Sequence, residues 1–140
     1  MRDILERNAA KLRELHADIH AKVARRQKSE EDRQAWLAAC SEFHKSYDSL
    51  AFPGGFERAI ELLKIGDLAT AETAILFCEI RPYYFRSGYN RTKFIRLLKR
   101  ISLPSYLADR LNRVREEIHQ RKLAARDKLE RDWRARFESK

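Results

Sequence analysis

An all-α fold is what the composition and patterning of this chain predict, and three observations carry it. Only four Gly and three Pro occur among 140 residues, so helix-breaking positions are few. Arg, Lys, Glu, Leu and Ala dominate, which is the composition of long helices. Apolar residues recur at intervals of three and four, and no stretch sustains the alternation of a half-buried strand. The expected architecture is one domain of 1–140. It comprises a helical hairpin over 1–50, a compact helix-turn-helix middle over 56–101 and a long, partly projecting C-terminal helix over 103–138.

Residues 2–27 read as the first helix, with Leu5, Leu12, Leu15, Ile19 and Val23 at helical spacing. Gln27-Lys28-Ser29 breaks the pattern, and Ser29 followed by Asp32 is an N-cap pair. The second helix runs to about Leu50 on a seam of Trp36, Cys40, Phe43, Tyr47 and Leu50, spaced alternately four and three. These two helices are expected to pack as an antiparallel hairpin.

Pro53-Gly54-Gly55 is the clearest break in the chain. A short helix follows from Phe56 to Ile65, with Phe56, Ala59, Ile60 and Leu63 inward. Gly66 suits its C-terminal glycine and Asp67 caps the next helix. That helix, Leu68 to Ile80, presents Leu68, Ala71, Ile75 and Cys78, and Pro82 ends it. Leu76–Ile80 is apolar enough for a short strand, but its continuity with 69–75 makes it helix.

Gly88 and Asn90 divide a Tyr-rich turn from a helix over Arg91–Ile101, whose apolar set is Phe94, Ile95, Leu97, Leu98 and Ile101. Ser102 and Pro104 read as the start of the last helix, Leu103 to about Phe137. Its seam of Leu107, Leu111, Val114 and Ile118 shifts later to Leu129, Trp133 and Phe137. Asp127/Arg131, Glu130/Arg134 and Asp132/Arg136 are acid-before-base pairs that support an exposed helix.

Gly66-Asp67-Leu68-Ala69-Thr70-Ala71, with Cys78 and Pro82 after it, resembles the second half of a tetratricopeptide repeat. The shared features are a Gly-Asp turn, small residues early in the second helix and two turns later, and a closing Pro. The likeness covers 17 of 140 residues, and no second copy follows at a period of about 34 residues. The resemblance implies a helix-turn-helix at this point and protein–peptide binding.

Charge is the strongest functional signal. The net charge is +9, and it is concentrated. From Arg81 to Ala108 there are seven bases (Arg81, Arg86, Arg91, Lys93, Arg96, Lys99, Arg100) and no acid. Tyr83, Tyr84, Phe85, Tyr89, Phe94 and Tyr106 are interleaved with them. Residues 51–80 hold two bases and five acids, a net of −3. Such asymmetry implies an acidic partner or self-association through opposite patches.

Other chemistries are weaker. Cys40 and Cys78 form no C-x-x-C, so a disulfide framework or structural zinc site is not indicated, and a reducing, cytoplasmic setting is the simpler reading. The N-terminus has no apolar signal region, and no run approaches the ~20 residues of a membrane span. Cys40 and His44 have the spacing of a nucleophile–base pair, but Cys40 falls in the seam of the second helix and reads as buried. His16 and His20 share a face without further ligands, so they read as surface histidines. No phosphate loop is present, since Pro53-Gly54-Gly55-Phe56 lacks G-K-[ST].

The expected function is therefore non-enzymatic and without cofactor: an adaptor, an immunity-type inhibitor or a complex subunit that recognises an acidic protein surface. Arg81, Arg86, Arg91, Lys93, Arg96 and Arg100 supply charge, and Tyr84 and Tyr89 serve as anchors, because Arg and Tyr concentrate binding energy at interfaces. Nucleic-acid binding through segment 81–106 is the alternative, with phosphates on the cations and bases stacked on tyrosine. Homodimerisation through the long helices is a further expectation.

Overall fold

A computed structural model describes residues 1–138. Six helices account for most of them: α1 (Arg2–Val23), α2 (Glu30–Ala51), α3 (Phe56–Lys64), α4 (Leu68–Ile80), α5 (Ser87–Leu98) and α6 (Ser105–Glu138). No strand occurs among the described residues. The chain divides into two compact units, Met1–Ser102 and Leu103–Lys140.

In the first unit, α1 and α2 form the expected antiparallel hairpin. Leu5, Ala9 and Leu12 of α1 and Ala39 and Phe43 of α2 are buried. The connection tightens early. Arg26 donates to the Val23 carbonyl and Lys28 to that of Arg25, three residues back in each case. This three-residue spacing replaces the four-residue bonding of the α-helix with a tighter turn and ends α1 at Val23 rather than near residue 27. Ser29 then caps α2 by accepting the Asp32 N–H at 3.0 Å.

The turn into α3 needs two left-handed glycines, Gly54 at φ +81° and Gly55 at φ +100°. Gly55 has no side chain with which to cap α3. Asp48, still on α2, does so instead: its Oδ1 accepts the Glu57 N–H at 2.9 Å. A Cβ on Gly55 would stand 2.7 Å from the other oxygen of that carboxylate.

α3 buries Phe56, Ala59, Ile60 and Leu63, as its spacing predicts. It closes in a Schellman turn, with Gly66 bonded to the Leu63 carbonyl and Asp67 to that of Leu62. Asp67 accepts from both the N–H and the hydroxyl of Thr70. Those bonds, the hydroxyl's first, hold its carboxyl below the usual range.

α4 has the predicted bounds, but its inward set loses Leu68 and gains Ala74 and Phe77. Ala71, Ala74, Ile75, Phe77 and Cys78 are buried, whereas Leu68, first after the cap, is exposed. Burial pushes the Cys78 thiol up to about 12, against the opposing charge of Arg91.

α5 begins at Ser87, four residues before the predicted Arg91, and ends at Leu98 rather than Ile101. Gly88 and Asn90 are helical, not turn residues. Asn90 sits within the helix because its amide is satisfied there: it donates to the hydroxyls of Tyr84 at 3.0 Å and Tyr47 at 3.2 Å. Phe94 is fully buried and central, its ring 5.0 Å from Phe52, 5.3 Å from Phe56 and 5.2 Å from Phe77. Truncating a ring so placed costs about 3–5 kcal/mol.

The second unit is essentially α6. It starts at Ser105, after Pro104, whose carbonyl accepts from both Leu107 and Ala108. Ser102 therefore lies outside the helix instead of capping it. Leu107, Leu111 and Val114 are buried. Every residue from His119 to Glu138 is exposed, including Leu129, Trp133 and Phe137. Of the expected pairs along this stretch, Glu130–Arg134 forms at 2.8 Å. No described helix is long and apolar enough to cross a membrane.

Candidate functional site

The basic–aromatic segment is held by polar bonds that fix which ring faces in. Tyr84 turns inward. Its hydroxyl donates to the Ala51 carbonyl at 3.0 Å and accepts from Asn90, and the residue is 4% exposed. Burial raises its phenol, with the Asn90 bond opposing. Tyr47 is raised for the same first reason and donates to the Phe85 carbonyl at 2.8 Å. Ser87 Oγ accepts the Tyr84 N–H. Arg13, on α1, donates to the Tyr83 carbonyl at 2.6 Å.

With Tyr84 inward, its neighbours point out. Tyr83 is 77% exposed, Phe85 47% and Tyr89 64%. The expected role of Tyr84 as a surface anchor is thus corrected: it is a core residue whose hydroxyl is used internally. Tyr83 and Phe85 hold the exposed positions instead.

Arg81 and Arg86 bracket this segment, and both adopt left-handed backbone, at φ 52° and 68°. Arg81 terminates α4 and Arg86 precedes α5. They are the two non-glycine residues with positive φ among those described. Both side chains are exposed.

The remaining predicted cations are distributed over separate places. Tyr89, Lys93 and Arg96 share a shallow depression of about 200 Å³ on α5. Lys93 is half-buried, its ammonium 6.0 Å from the Phe56 ring, and Arg91 is half-buried beside Cys78. Arg100 lies past the end of α5 and lines a separate depression with Leu63, Ile65 and Leu97. It is exposed and is not grouped with Tyr89.

Sequence reasoning missed the contribution of α1. Arg13, His16 and His20 follow one another at three and four residues and face the Tyr83–Gly88 segment across a groove of about 660 Å³. The His16 ring stacks on Phe85 at 4.9 Å and 24°, and meets His20 at 4.6 Å and Phe43 at 5.5 Å. Arg86 lies 5.7 Å from the Phe85 ring. The only local signal for this group is the spacing of 13, 16 and 20; its pairing with residues seventy positions away is tertiary.

Of the two candidate reactive pairs, His16 and His20 belong to this groove, with His16 half-buried against Phe85 rather than a plain surface histidine. Cys40 is half-buried rather than buried, and His44 is exposed. No hydrogen bond joins them among the described residues. No group of three or more His, Cys, Asp or Glu that could hold a metal ion occurs among the described residues.

No protein-family model matches this chain, and neither a curated protein nor a solved structure is significantly similar to it.

Proposed function

We propose that this chain is a non-enzymatic interaction module that recognises an acidic protein surface, as an adaptor, an immunity-type inhibitor or a subunit of a complex. The supporting observation is the pair of left-handed arginines that bracket an exposed aromatic segment. A left-handed non-glycine residue costs about 1–2 kcal/mol, and such strain concentrates where a side chain is needed for function. Glycine would serve the backbone at both positions without that cost. Arginine at position 86 places a guanidinium over the Phe85 ring, in a segment that also exposes Tyr83, and Arg and Tyr are residue types that anchor interfaces.

Nucleic-acid binding is the second reading. It draws on the same exposure, since Tyr83 and Tyr89 can stack on bases beside cations.

One experiment separates the two. The tagged chain is presented to its native host's soluble proteins, and separately to labelled single- and double-stranded oligonucleotides. The interaction-module reading expects an acidic protein to be retained, and Arg96→Glu to release it. Oligonucleotide binding tighter than about micromolar at ~150 mM salt, with a steep salt slope, overturns that reading in favour of the second.

A further inference from the structure

The groove between α1 and the Tyr83–Gly88 segment has a chemistry that the charge run alone does not reveal. At about 660 Å³ it falls within the roughly 300–1,000 Å³ typical of ligand sites. Arg13 and the two histidines form one wall, and Tyr83, Phe85 and Arg86 form the other. No Asp or Glu is among its described lining residues.

The cations are positioned before any ligand arrives. Arg13 is pinned by its bond to the Tyr83 carbonyl, which uses one of the five N–H donors of a guanidinium. Arg86 lies over Phe85, and the Phe85 carbonyl is fixed by Tyr47. A site ordered in advance loses less affinity to ordering on binding. Guanidinium groups bind carboxylates through paired, charge-assisted hydrogen bonds. The Phe85 ring is already engaged by His16 and Arg86, which disfavours it as a platform for a nucleobase.

We propose that this groove is the docking site for an acidic peptide segment of the partner. Its carboxylates pair with Arg13 and Arg86, and its apolar side chains cover Ala17 and the Tyr83 ring. The proposal rests on the preceding reading for the partner's chemistry, and adds where on the chain the contact is made and by what kind of segment.

Ala17 is an exposed groove residue on α1, so Ala17→Glu and Ala17→Lys both leave the helix favourable. Random decapeptides are displayed against the full-length chain, and the recovered peptides are titrated by fluorescence anisotropy. The expected result is a recovered set rich in Asp and Glu. Affinity falls roughly tenfold or more in Ala17→Glu and is kept or raised in Ala17→Lys. Peptides without acidic enrichment, or equal affinity in all three chains, overturn the proposal. Acidic peptides that respond to Arg96→Glu but not to Ala17→Glu overturn the groove and leave the acidic-partner reading standing. Failure to recover acidic peptides, with no response to either variant, removes both. A homopolymeric oligonucleotide whose binding Ala17→Glu abolishes reassigns the groove to nucleic acid.

Discussion

At Arg86, stability is set against the binding role proposed for it. Its left-handed backbone is unfavourable by about 1–2 kcal/mol, while a glycine there adds roughly 0.5–1 kcal/mol of unfolded-chain entropy. Arg86→Gly is therefore expected to raise the urea midpoint by a small amount, and Arg86→Ala, which keeps the Cβ, is not. On the proposed reading, both are expected to weaken binding to an acidic partner. Tyr84 gives the opposite contrast. Tyr84→Phe strands the Ala51 carbonyl and removes one of the two bonds that the Asn90 amide donates, and costs about 1–3 kcal/mol in chemical denaturation. It leaves partner affinity unchanged, because the hydroxyl never reaches the surface. An unchanged midpoint with lost affinity would return Tyr84 to the anchor role expected from sequence. That role could not be assigned locally. Tyr83, Tyr84 and Phe85 are three adjacent aromatics of equal promise, and the choice among them is made by Asn90, Ser87 and Ala51, none of which announces itself in a hydropathy pattern.

α4, whose ends carry their own chemistry, was legible, whereas the start of α5, set by tertiary bonds, was not. α4 was bounded correctly because Asp67 and Pro82 act within a few residues. α5 was not, because Gly88 and Asn90 read as breakers, while the hydroxyls of Tyr47 and Tyr84 make Asn90 a favourable helical residue. α3 shows a similar dependence at its start, where a carboxylate from the preceding helix does the capping. Gly55→Ala should accordingly cost more than Gly66→Ala. At Gly55 the new Cβ meets Asp48 at 2.7 Å, whereas Gly66 has nothing within 4 Å. Both variants place a Cβ on positive-φ backbone, at a cost of about 1–3 kcal/mol each. Only Gly55→Ala also displaces the Asp48 cap, worth about 1 kcal/mol. Thermal melts of the two variants side by side check the order; equal losses would mean that Asp48 relaxes without losing its bond.

At the scale of the whole molecule, the segmental charge was readable from sequence, but its display was not. The basic run separates into the α5 depression, the position of Arg100 and the groove that α1 completes. Cys78, Tyr47 and Tyr84 link the fold to alkaline pH. Their folded pKa values lie above the ordinary 9.0 of the thiol and 10.0 of the phenols, in each case first through burial. Below those ordinary values both folded and unfolded chains hold the protons, and the stabilisation is fully present. Above them the unfolded chain releases protons that the folded chain retains, so stability falls as pH rises from 9 toward 12. Urea midpoints measured across that interval are expected to decline, and Cys78→Ala should flatten the first part of the decline. The stacking of His16 on Phe85 has one more consequence. The ring current of a phenyl group displaces the resonances of protons held above its face, so the imidazole carbon-bound protons of His16 should appear well upfield of those of His119. Anything that entered beside Arg13 and moved either ring would shift that signal, giving the chain an intrinsic, label-free reporter of its own occupancy.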